Sequence, residues 1–338
     1  MRIIIEGIGG VGGVLAARII ASGHRPLLIT GNPAITDAMN AHGIRAITPE
    51  GELVVPAAAL TSLEEVKTSD RFDVALLVMK AGQVTEAAEK TLPLLAPEGY
   101  VVTLQNGIVE DRVAEIVGKR RIVSGIVGFG GTFVKPGVVE KTGPGKIHVG
   151  ELDSPVTDRV RRLAVLLEAV SPVVATDNMR GALWSKLAIN STITTLGALT
   201  GDTLGVMLKT KPAREAFLRV YREVVDTSRA LGVRLERIAT DPGLLYLPQN
   251  AGGLQRFYKD ALVRIVGRKY RKLKSSSLQS LERGRKTEID YLNGYVVKKA
   301  REMGVAVPLN EALVRMLKEI ETGCRGIAGK NMVELLTV

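Results

Sequence analysis

RIIIEGIGGVGGVLAARIIASGHRPLLIT, residues 2–30, is the stretch that decides the fold. A short apolar run leads into a glycine-rich turn, apolar residues follow at helical spacing, and a second apolar run closes the stretch. This order of strand, turn, helix and strand is that of a βαβ unit. The turn contains the pattern G-x-G-x-x-G in the context that makes it informative, so it predicts a dinucleotide-binding site.

Each glycine of this pattern has a predicted task. Gly7 permits the tight turn, Gly9 lets the backbone approach a pyrophosphate, and Gly12 lets the helix pack against the strand. The amino terminus of the helix then faces the phosphates. The residues predicted to hold the dinucleotide here are Gly7, Ile8, Gly9, Gly10, Val11 and Gly12. A purely structural turn and a different nucleotide are the alternative interpretations.

The end of the second apolar run bears on the choice of cofactor. An NAD-specific protein normally carries Asp or Glu there to hold the ribose diol, whereas this chain has Thr30, Gly31 and Asn32. A 2′-phosphate would not be repelled, and Thr30 and Asn32 can hydrogen-bond it. The arginine that would select the phosphate is also absent. The sequence therefore favours NADP, with NAD as the alternative.

The following segments extend the same fold. Strands are predicted at Val74–Lys80 and Tyr100–Asn106, with a helical segment between them. Both runs are apolar on both faces, which indicates a parallel sheet covered by helices. The glycine-rich residues 130–150 suggest short strands that extend this sheet, with antiparallel pairing as one option. A helix and a strand then close a Rossmann-type domain, which we place at residues 1–177.

From residue 178 onward the apolar period is helical. We therefore expect a mostly α-helical second domain, residues 178–338, that binds substrate and carries the catalytic residues. The Gly- and Pro-rich residues 241–257 are predicted to form a loop. The fold class is accordingly α/β, with a Rossmann-type parallel sheet domain followed by a helical domain.

Composition sets further limits. The chain has 338 residues, of which 46% are hydrophobic and 24% charged, which is typical of a globular protein of two domains. No apolar run approaches the roughly 18 residues of a membrane span, and the first residues do not resemble a secretory signal, so we expect a cytoplasmic protein. A single cysteine and three scattered histidines make a disulfide or a zinc site unexpected. Apolar positions in the carboxy-terminal helices make a homodimer one option for the assembly.

The formal net charge of +11 is concentrated between Arg256 and Lys286. A basic run of this kind is usually a solvated helix face. Binding of an anionic small molecule is the second interpretation, and binding of nucleic acid is the third.

Polar residues interrupt the apolar segment around Lys186. Asn190 and Thr194 follow it at intervals of four residues, so all three lie along one face of a helix. Hydride reduction of a ketone develops negative charge on oxygen, which requires a nearby acid or cation. Lys186 is a candidate for that acid, and a surface lysine whose stem covers apolar area is the alternative.

The sequence resembles the ketopantoate reductases (2-dehydropantoate 2-reductases) along most of its length. The matching pieces, in the family's order, are GIGGVGG at residues 7–13, Met79–Lys80, Gln105–Gly107, the K-L-A-x-N of Lys186–Asn190, and Ser275–Gly294. The resemblance implies reduction of 2-dehydropantoate (ketopantoate) to pantoate, a step of pantothenate biosynthesis, by an NADPH-dependent oxidoreductase.

The resemblance also implies roles for individual residues. Lys186 looks like the general acid that protonates the carbonyl oxygen, and lysine ordinarily carries its proton at neutral pH. Glu288 looks like the acidic residue that contacts the substrate hydroxyl and helps to position the lysine. The other implied contacts are Asn190 and Ser276 with the substrate, Asn106 near the nicotinamide and the substrate, and Lys80 beside the cofactor.

Plainer interpretations stand beside four of these roles. Asn106 before a glycine can be turn chemistry, and Ser276 can be a helix cap. Glu288 can be a carboxylate favoured by a helix dipole. Lys80 can be a soluble end to an apolar strand.

Thr194 departs from the family, which often has a second substrate-contacting Asn at this position. A hydroxyl does not reproduce the paired donor and acceptor of an amide. Residues 241–274 are also long and basic for the simplest members. Reduction of another small 2-keto acid is therefore the first alternative function. A non-catalytic, dinucleotide-binding redox sensor is the alternative of a different class, and the set of Lys186, Asn190 and Glu288 argues against it.

Overall fold

The computed structural model describes residues 1–238 and 240–338, which divide into two compact units. The first unit comprises residues 1–105 and 109–179, and the second comprises residues 106–108 and 180–338. In these described ranges, no helix is both long enough and apolar enough to span a bilayer.

The first unit contains two sheets and the helices that cover them. Its strands are β1 (Ile3–Glu6), β2 (Leu27–Ile29), β3 (Ile44–Thr48), β4 (Gly51–Val55), β5 (Ala59–Leu60), β6 (Phe72–Leu77), β7 (Leu95–Thr103), β8 (Ile122–Val127), β9 (Gly131–Lys135), β10 (Val138–Lys141), β11 (Ile147–Gly150) and β12 (Val173–Ala175). Its helices are α1 (Gly10–Ala21), α2 (Pro33–His42), α3 (Val84–Thr91), α4 (Glu110–Val117) and α5 (Asp158–Glu168).

The larger sheet has the strand order β12-β11-β8-β7-β6-β1-β2-β5. All neighbouring strands within this sheet are parallel, except that β11 pairs antiparallel with β8. β1 lies between β2 and β6, with Ile5 opposite both Leu28 and Leu76. These three side chains are fully buried, as expected for strands covered on both faces.

The smaller sheet has the order β4-β3-β10-β9 and packs on α1. The glycine-rich residues 130–150 therefore supply two sheets, because β11 extends the larger one whereas β9 and β10 enter the smaller one. The prediction that this stretch extends one sheet is right for β11 and wrong for the other two strands. Two glycines of α1 permit the packing, since a Cβ at Gly10 would collide with the backbone of Gly131, and one at Gly13 would lie 2.5 Å from Cγ1 of Val139.

The second unit is helical. Its helices are α6 (Met179–Thr200, which begins at the last residue of the first unit), α7 (Leu204–Met207), α8 (Lys211–Ala230), α9 (Gly253–Lys269), α10 (Ser276–Glu282), α11 (Asn293–Glu302), α12 (Pro308–Glu321) and α13 (Lys330–Leu335). Short 3-10 turns lie at Pro242–Leu244 and Ile289–Tyr291. The predicted loop at residues 241–257 therefore ends earlier than expected, because α9 begins at Gly253.

Candidate active site

In the glycine-rich turn between β1 and α1, two glycines are packed so tightly that there is no space for a side chain. Gly7 has φ +90°, and a Cβ there would collide with the backbone of Met79. A Cβ on Gly12 would collide with the carbonyl oxygen of Gly7 and lie 3.5 Å from Cβ of Val78. Neither position accepts a side chain without a shift of the backbone, so both glycines are required by the turn itself.

Gly9 differs from its neighbours because the space around it is open. No heavy atom lies within 4 Å of the position that its Cβ would take. Gly9 is the N-cap of α1, and the N–H of Gly13 donates to its carbonyl oxygen at 2.8 Å. The N–H groups of the first helical turn therefore precede the intrahelical ladder and are available to a ligand. An open cradle at a helix amino terminus fits the pyrophosphate of a dinucleotide.

The end of β2 carries polar residues that are partly committed to local structure. The hydroxyl groups of Thr30 and Thr36 are 2.7 Å apart, and the Thr30 hydroxyl donates to the backbone oxygen of Asn32 at 2.9 Å. The Asn32 side chain accepts a hydrogen bond from the N–H of Ala34 at 2.9 Å and so caps α2. Asn32 is nevertheless exposed, and residues 29–32 contain no carboxylate. Residues 29–32 themselves therefore present no carboxylate to a 2′-phosphate.

Gln105 links the ends of β6 and β7, a role that the sequence analysis did not predict. Nε2 of the buried Gln105 donates to the carbonyl oxygens of Leu77 at 2.8 Å and Met79 at 3.2 Å. It thereby fixes the backbone just before Lys80, which is exposed and caps a short 3-10 turn. Its place in the Gln105–Gly107 motif was the only signal in the sequence.

A buried acid at the end of β1 has no predicted role. The hydroxyl of Thr91 donates to the carboxylate of Glu6, which is 3% exposed. Burial raises the pKa of Glu6 from 4.5 to about 7, although this hydrogen bond opposes the rise. Its carboxyl group packs against α3, so it is an ionisable group within the core of the first unit.

In the second unit, α6 carries the predicted catalytic stripe. Lys186 and Asn190 are half-buried, whereas Thr194 is 8% exposed. The hydroxyls of Ser185, Ser191, Thr192 and Thr195 donate to backbone carbonyls four residues earlier in the helix. Within the described residues, the Thr194 hydroxyl makes no such bond. The Thr194 hydroxyl thus differs from these four hydroxyl groups of the helix.

Residues 106–108 bring two of the predicted site residues together. Nδ2 of Asn190 donates to Oδ1 of Asn106 at 3.3 Å. Gly107 has φ +87° and packs against the backbone of Tyr291, whose carbonyl oxygen accepts a hydrogen bond from Ile108 N at 3.4 Å. Tyr291 ends the 3-10 turn that the half-buried Glu288 precedes. Segments distant in sequence, around residues 106, 190 and 288, therefore pack together within one unit.

A series of hydrogen bonds between buried polar side chains connects these segments to α12 and α8. Nδ2 of Asn293 donates to the carbonyl oxygen of Ser191 and to Oδ1 of Asn310, both at 2.9 Å. Nδ2 of Asn310 in turn donates to Oε2 of Glu223 at 2.7 Å. Burial raises the pKa of Glu223, while its hydrogen bonds to Asn310 and Leu309 oppose the rise. Asn293 stands in the TEIDYLNG motif, but nothing in the sequence indicated its partners.

The start of α10 lies against the same helix. Its N-cap is Ser275, whose side chain accepts a hydrogen bond from Leu278 N at 3.1 Å. The side chain of Ser275 faces Gly197 of α6, where a Cβ would lie 3.0 Å from it. Ser276 is the next residue and is exposed. The helix cap is thus Ser275, and the hydroxyl of Ser276 is not used for capping.

Residues 3–154 match the protein family described as ketopantoate reductase PanE/ApbA. Residues 178–321 match the family described as ketopantoate reductase PanE/ApbA C terminal. The chain belongs to the ketopantoate reductase family. The resemblance found in the sequence motifs is therefore confirmed.

Relatives match this chain over nearly their whole length. A 2-dehydropantoate 2-reductase from Mesorhizobium japonicum is 27% identical, over 96% of this chain and 99% of its own. The crystal structure of a PanE/ApbA family ketopantoate reductase from Ralstonia eutropha has a TM-score of 0.81 at 28% identity, over 96% of this chain and 99% of its own. The ternary structure of D-mandelate dehydrogenase with NADH and anilino(oxo)acetate shares the fold, with a TM-score of 0.81 at 23% identity, over 96% and 99% of the two chains.

The ketopantoate reductase family consists of NAD(P)-dependent oxidoreductases that act on a C=O or CH–OH group. The prediction of an NAD(P)-dependent enzyme of this class is confirmed. So is the fold class, a Rossmann-type sheet domain followed by a helical domain.

Proposed function

We propose that this chain reduces 2-dehydropantoate to pantoate with NADPH. One observation carries the proposal beyond family membership, namely the hydrogen bond between Asn190 and Asn106 beside the turn that follows Glu288. Three separate motifs that the sequence suggested for catalysis meet there in one unit. Asn190 lies on the helix that carries the half-buried Lys186 and is hydrogen-bonded to Asn106, and the turn after Glu288 packs against Gly107.

The proposed chemistry assigns a task to each side chain. When bound, the nicotinamide supplies the hydride that reduces the carbonyl carbon. Lys186 donates the proton to the carbonyl oxygen, and its positive charge stabilises the negative charge that develops there. Glu288 accepts a hydrogen bond from the substrate hydroxyl and orients the lysine. Asn190, Thr194 and Ser276 contact the substrate.

The cofactor is assigned to residues 1–177, and the substrate and the catalytic residues to residues 178–338. The turn from Gly7 to Gly12 holds the pyrophosphate, with Ile8, Gly9, Gly10 and Val11 between the two ends. Lys80 lies beside the cofactor, and Asn106 contacts the nicotinamide. Thr30 and Asn32 favour NADP over NAD because they can hydrogen-bond a 2′-phosphate and do not repel it.

Reduction of another 2-keto acid is the second candidate. It is favoured by Thr194, whose hydroxyl makes no hydrogen bond within the described part of the chain and replaces an amide often found in the family. A keto acid without the hydroxyl group of ketopantoate would need fewer polar partners at this position. The D-mandelate dehydrogenase that shares this fold is described with anilino(oxo)acetate, which is a 2-oxo acid derivative.

The test is oxidation of NADPH, and of NADH in parallel, by the purified chain with ketopantoate and a panel of 2-keto acids. We expect Lys186→Ala to lower kcat by about 100- to 10,000-fold while NADPH still binds. The exposed Lys298→Ala serves as the matched control and should leave kcat unchanged. Oxidation only with another keto acid supports the second candidate. Tight NADPH binding without turnover of any substrate contradicts both candidates and supports a redox sensor.

A further inference from the structure

The second unit contains a groove between α8 and α9 that the proposed reaction does not use. Its volume is about 690 Å³, within the range of roughly 300 to 1,000 Å³ that is typical of small-molecule sites. Lys186, Asn190, Ser276 and Glu288 do not line it. From its charge and shape we propose that this groove binds a small organic anion with an apolar body, at a site separate from the reductase site.

The walls of the groove carry a marked excess of positive charge. Five lysine or arginine residues and two acids line it, which leaves a formal charge of +3. One acid is neutralised internally, because Nε of Arg214 donates to Asp260 at 2.7 Å. Within the described residues, Lys211 and Arg222 form no ion pair. These two cations therefore stay available to an anion, although the neighbouring Glu223 interacts electrostatically with Arg222.

On the wall formed by α9, the guanidinium of Arg256 is held in place by hydrogen bonds within the chain. Its guanidinium donates to the backbone oxygens of Ala251 at 3.0 Å and Gln249 at 2.9 Å. Backbone carbonyls hold the group in place without cancelling its charge. A fixed guanidinium loses little conformational entropy when it binds a carboxylate or phosphate, and its planar donors match the geometry of both.

The apolar part of the groove indicates that the ligand is more than an inorganic ion. Leu218 and Leu247 are 5% and 8% exposed. Phe257, one turn into α9, is 73% exposed although it lines the same groove. A largely exposed phenylalanine among cations offers a face for an apolar or aromatic group, and its burial would favour binding.

The loop that completes the groove is hydrogen-bonded to both helices. Nζ of Lys259 donates to the carbonyl oxygens of Gly243 at 2.9 Å and Leu244 at 2.7 Å. The hydroxyl of Tyr221 in α8 donates to the carbonyl oxygen of Pro242 at 3.0 Å. These bonds tie the residues before Leu247 to both helices. The groove is thus a preformed feature of the unit, as small-molecule sites usually are.

The experiment is a fluorescence titration of the full chain with anilinonaphthalene sulfonate, an organic anion with an aromatic body. We expect saturable binding with one site per chain. Arg222→Gln combined with Arg256→Gln should weaken it at least tenfold, and Phe257→Ala should weaken it severalfold. Arg264→Gln, an exposed arginine of α9 outside the groove, is the matched control and should bind as the unaltered chain does. Saturating NADPH with ketopantoate should not displace the probe.

Several results would overturn the proposal. They are the absence of saturable binding, equal binding by the double variant, equal weakening in the control, or displacement of the probe by NADPH. Self-association that the double variant abolishes would also overturn it, because a second copy would then cover the groove. The NADPH oxidation rate and the thermal unfolding of each variant, measured alongside, show that the reductase site and the fold are intact.

Discussion

The side-chain amide of Asn293 donates a hydrogen bond to the carbonyl oxygen of Ser191 at 2.9 Å. This bond ties the start of α11 to α6 next to Asn190. Because Glu288 lies five residues before Asn293, the same bond fixes the segment that carries this acid. Asn293 is fully buried and also donates to Oδ1 of Asn310, so its removal takes the donor from that oxygen and one of the donors from the Ser191 oxygen, which Thr195 also contacts.

We predict that Asn293→Leu, which nearly preserves volume, lowers the free energy of unfolding by about 2 to 4 kcal/mol. It should also lower kcat at least tenfold, because Glu288 and Asn190 lose their mutual alignment. The measurements are urea unfolding and steady-state NADPH oxidation.

Asn331→Leu provides the matched control for this prediction. Asn331 is also fully buried and donates to a carbonyl oxygen of α6, that of Leu199 at 3.1 Å, near the end of the helix. Its loss should destabilise the chain to a similar extent and leave kcat of the folded protein unchanged. Equal effects on kcat in both variants would contradict a positioning role for Asn293.

The carboxylate of Glu223 caps a helix to which it does not belong. α12 begins after Val307, which cannot cap, and Glu223 accepts hydrogen bonds from Leu309 N at 3.1 Å and Asn310 N at 3.0 Å. We predict that Glu223→Ala lowers the free energy of unfolding by about 3 kcal/mol or more, since three buried donors lose their acceptor. Glu223→Gln keeps one acceptor oxygen and should cost less. Thermal unfolding of both variants checks the order, and the exposed Glu215→Ala should be neutral.

These networks show where prediction from the sequence ends. The βαβ unit and the helical period of the second domain could be predicted because they are local, repeating patterns. The contact between Asn293 and Ser191 joins residues 102 positions apart, and no local period encodes such a partner. The same limit explains β10, which pairs with β3, and β9, which pairs with β10, because their packing on α1 depends on the glycines of that helix. The roles of Lys186 and Glu288 remain predictions that rest on the family motifs.

Glu6 makes stability depend on pH. Its folded pKa, about 7, lies above the ordinary value of 4.5, so the folded chain holds a proton that the unfolded chain releases first. The contribution of Glu6 to stability should therefore be greatest below pH 4.5, fall as the pH rises to about 7, and stay level above that. The total change from this group is about 3 kcal/mol.

Glu6→Gln removes this dependence and keeps an acceptor for the Thr91 hydroxyl. We expect the variant to match the unaltered chain at acidic pH and to be more stable by up to about 3 kcal/mol above pH 7. Urea unfolding of both proteins without cofactor at several pH values measures the difference. Parallel curves at every pH would show that Glu6 does not titrate in this range.

Gly9 should be needed for the dinucleotide and not for the fold. Its missing Cβ faces open space, so Gly9→Ala creates no clash within the chain. We predict unchanged thermal stability and at least tenfold weaker NADPH binding, because the methyl group would occupy the pyrophosphate cradle. Gly143→Ala is the control, since it is a glycine of the same unit that also has no atoms near the Cβ position. If Gly9→Ala binds NADPH as tightly as the unaltered chain does, the pyrophosphate does not bind at this turn.

Asn32 offers a direct test of the choice between NADP and NAD. Asn32→Asp places a carboxylate at the end of β2, where it would repel a 2′-phosphate and could bind a ribose diol. Aspartate is as good a helix N-cap as asparagine, so the bond to Ala34 N and the stability of α2 should be retained. We therefore expect kcat/KM to fall at least tenfold with NADPH and to stay constant or rise with NADH. Only an effect specific to the 2′-phosphate distinguishes charge repulsion from a general disturbance of the site. Equal losses of kcat/KM with both cofactors would therefore show that the ribose does not reach this edge of the sheet.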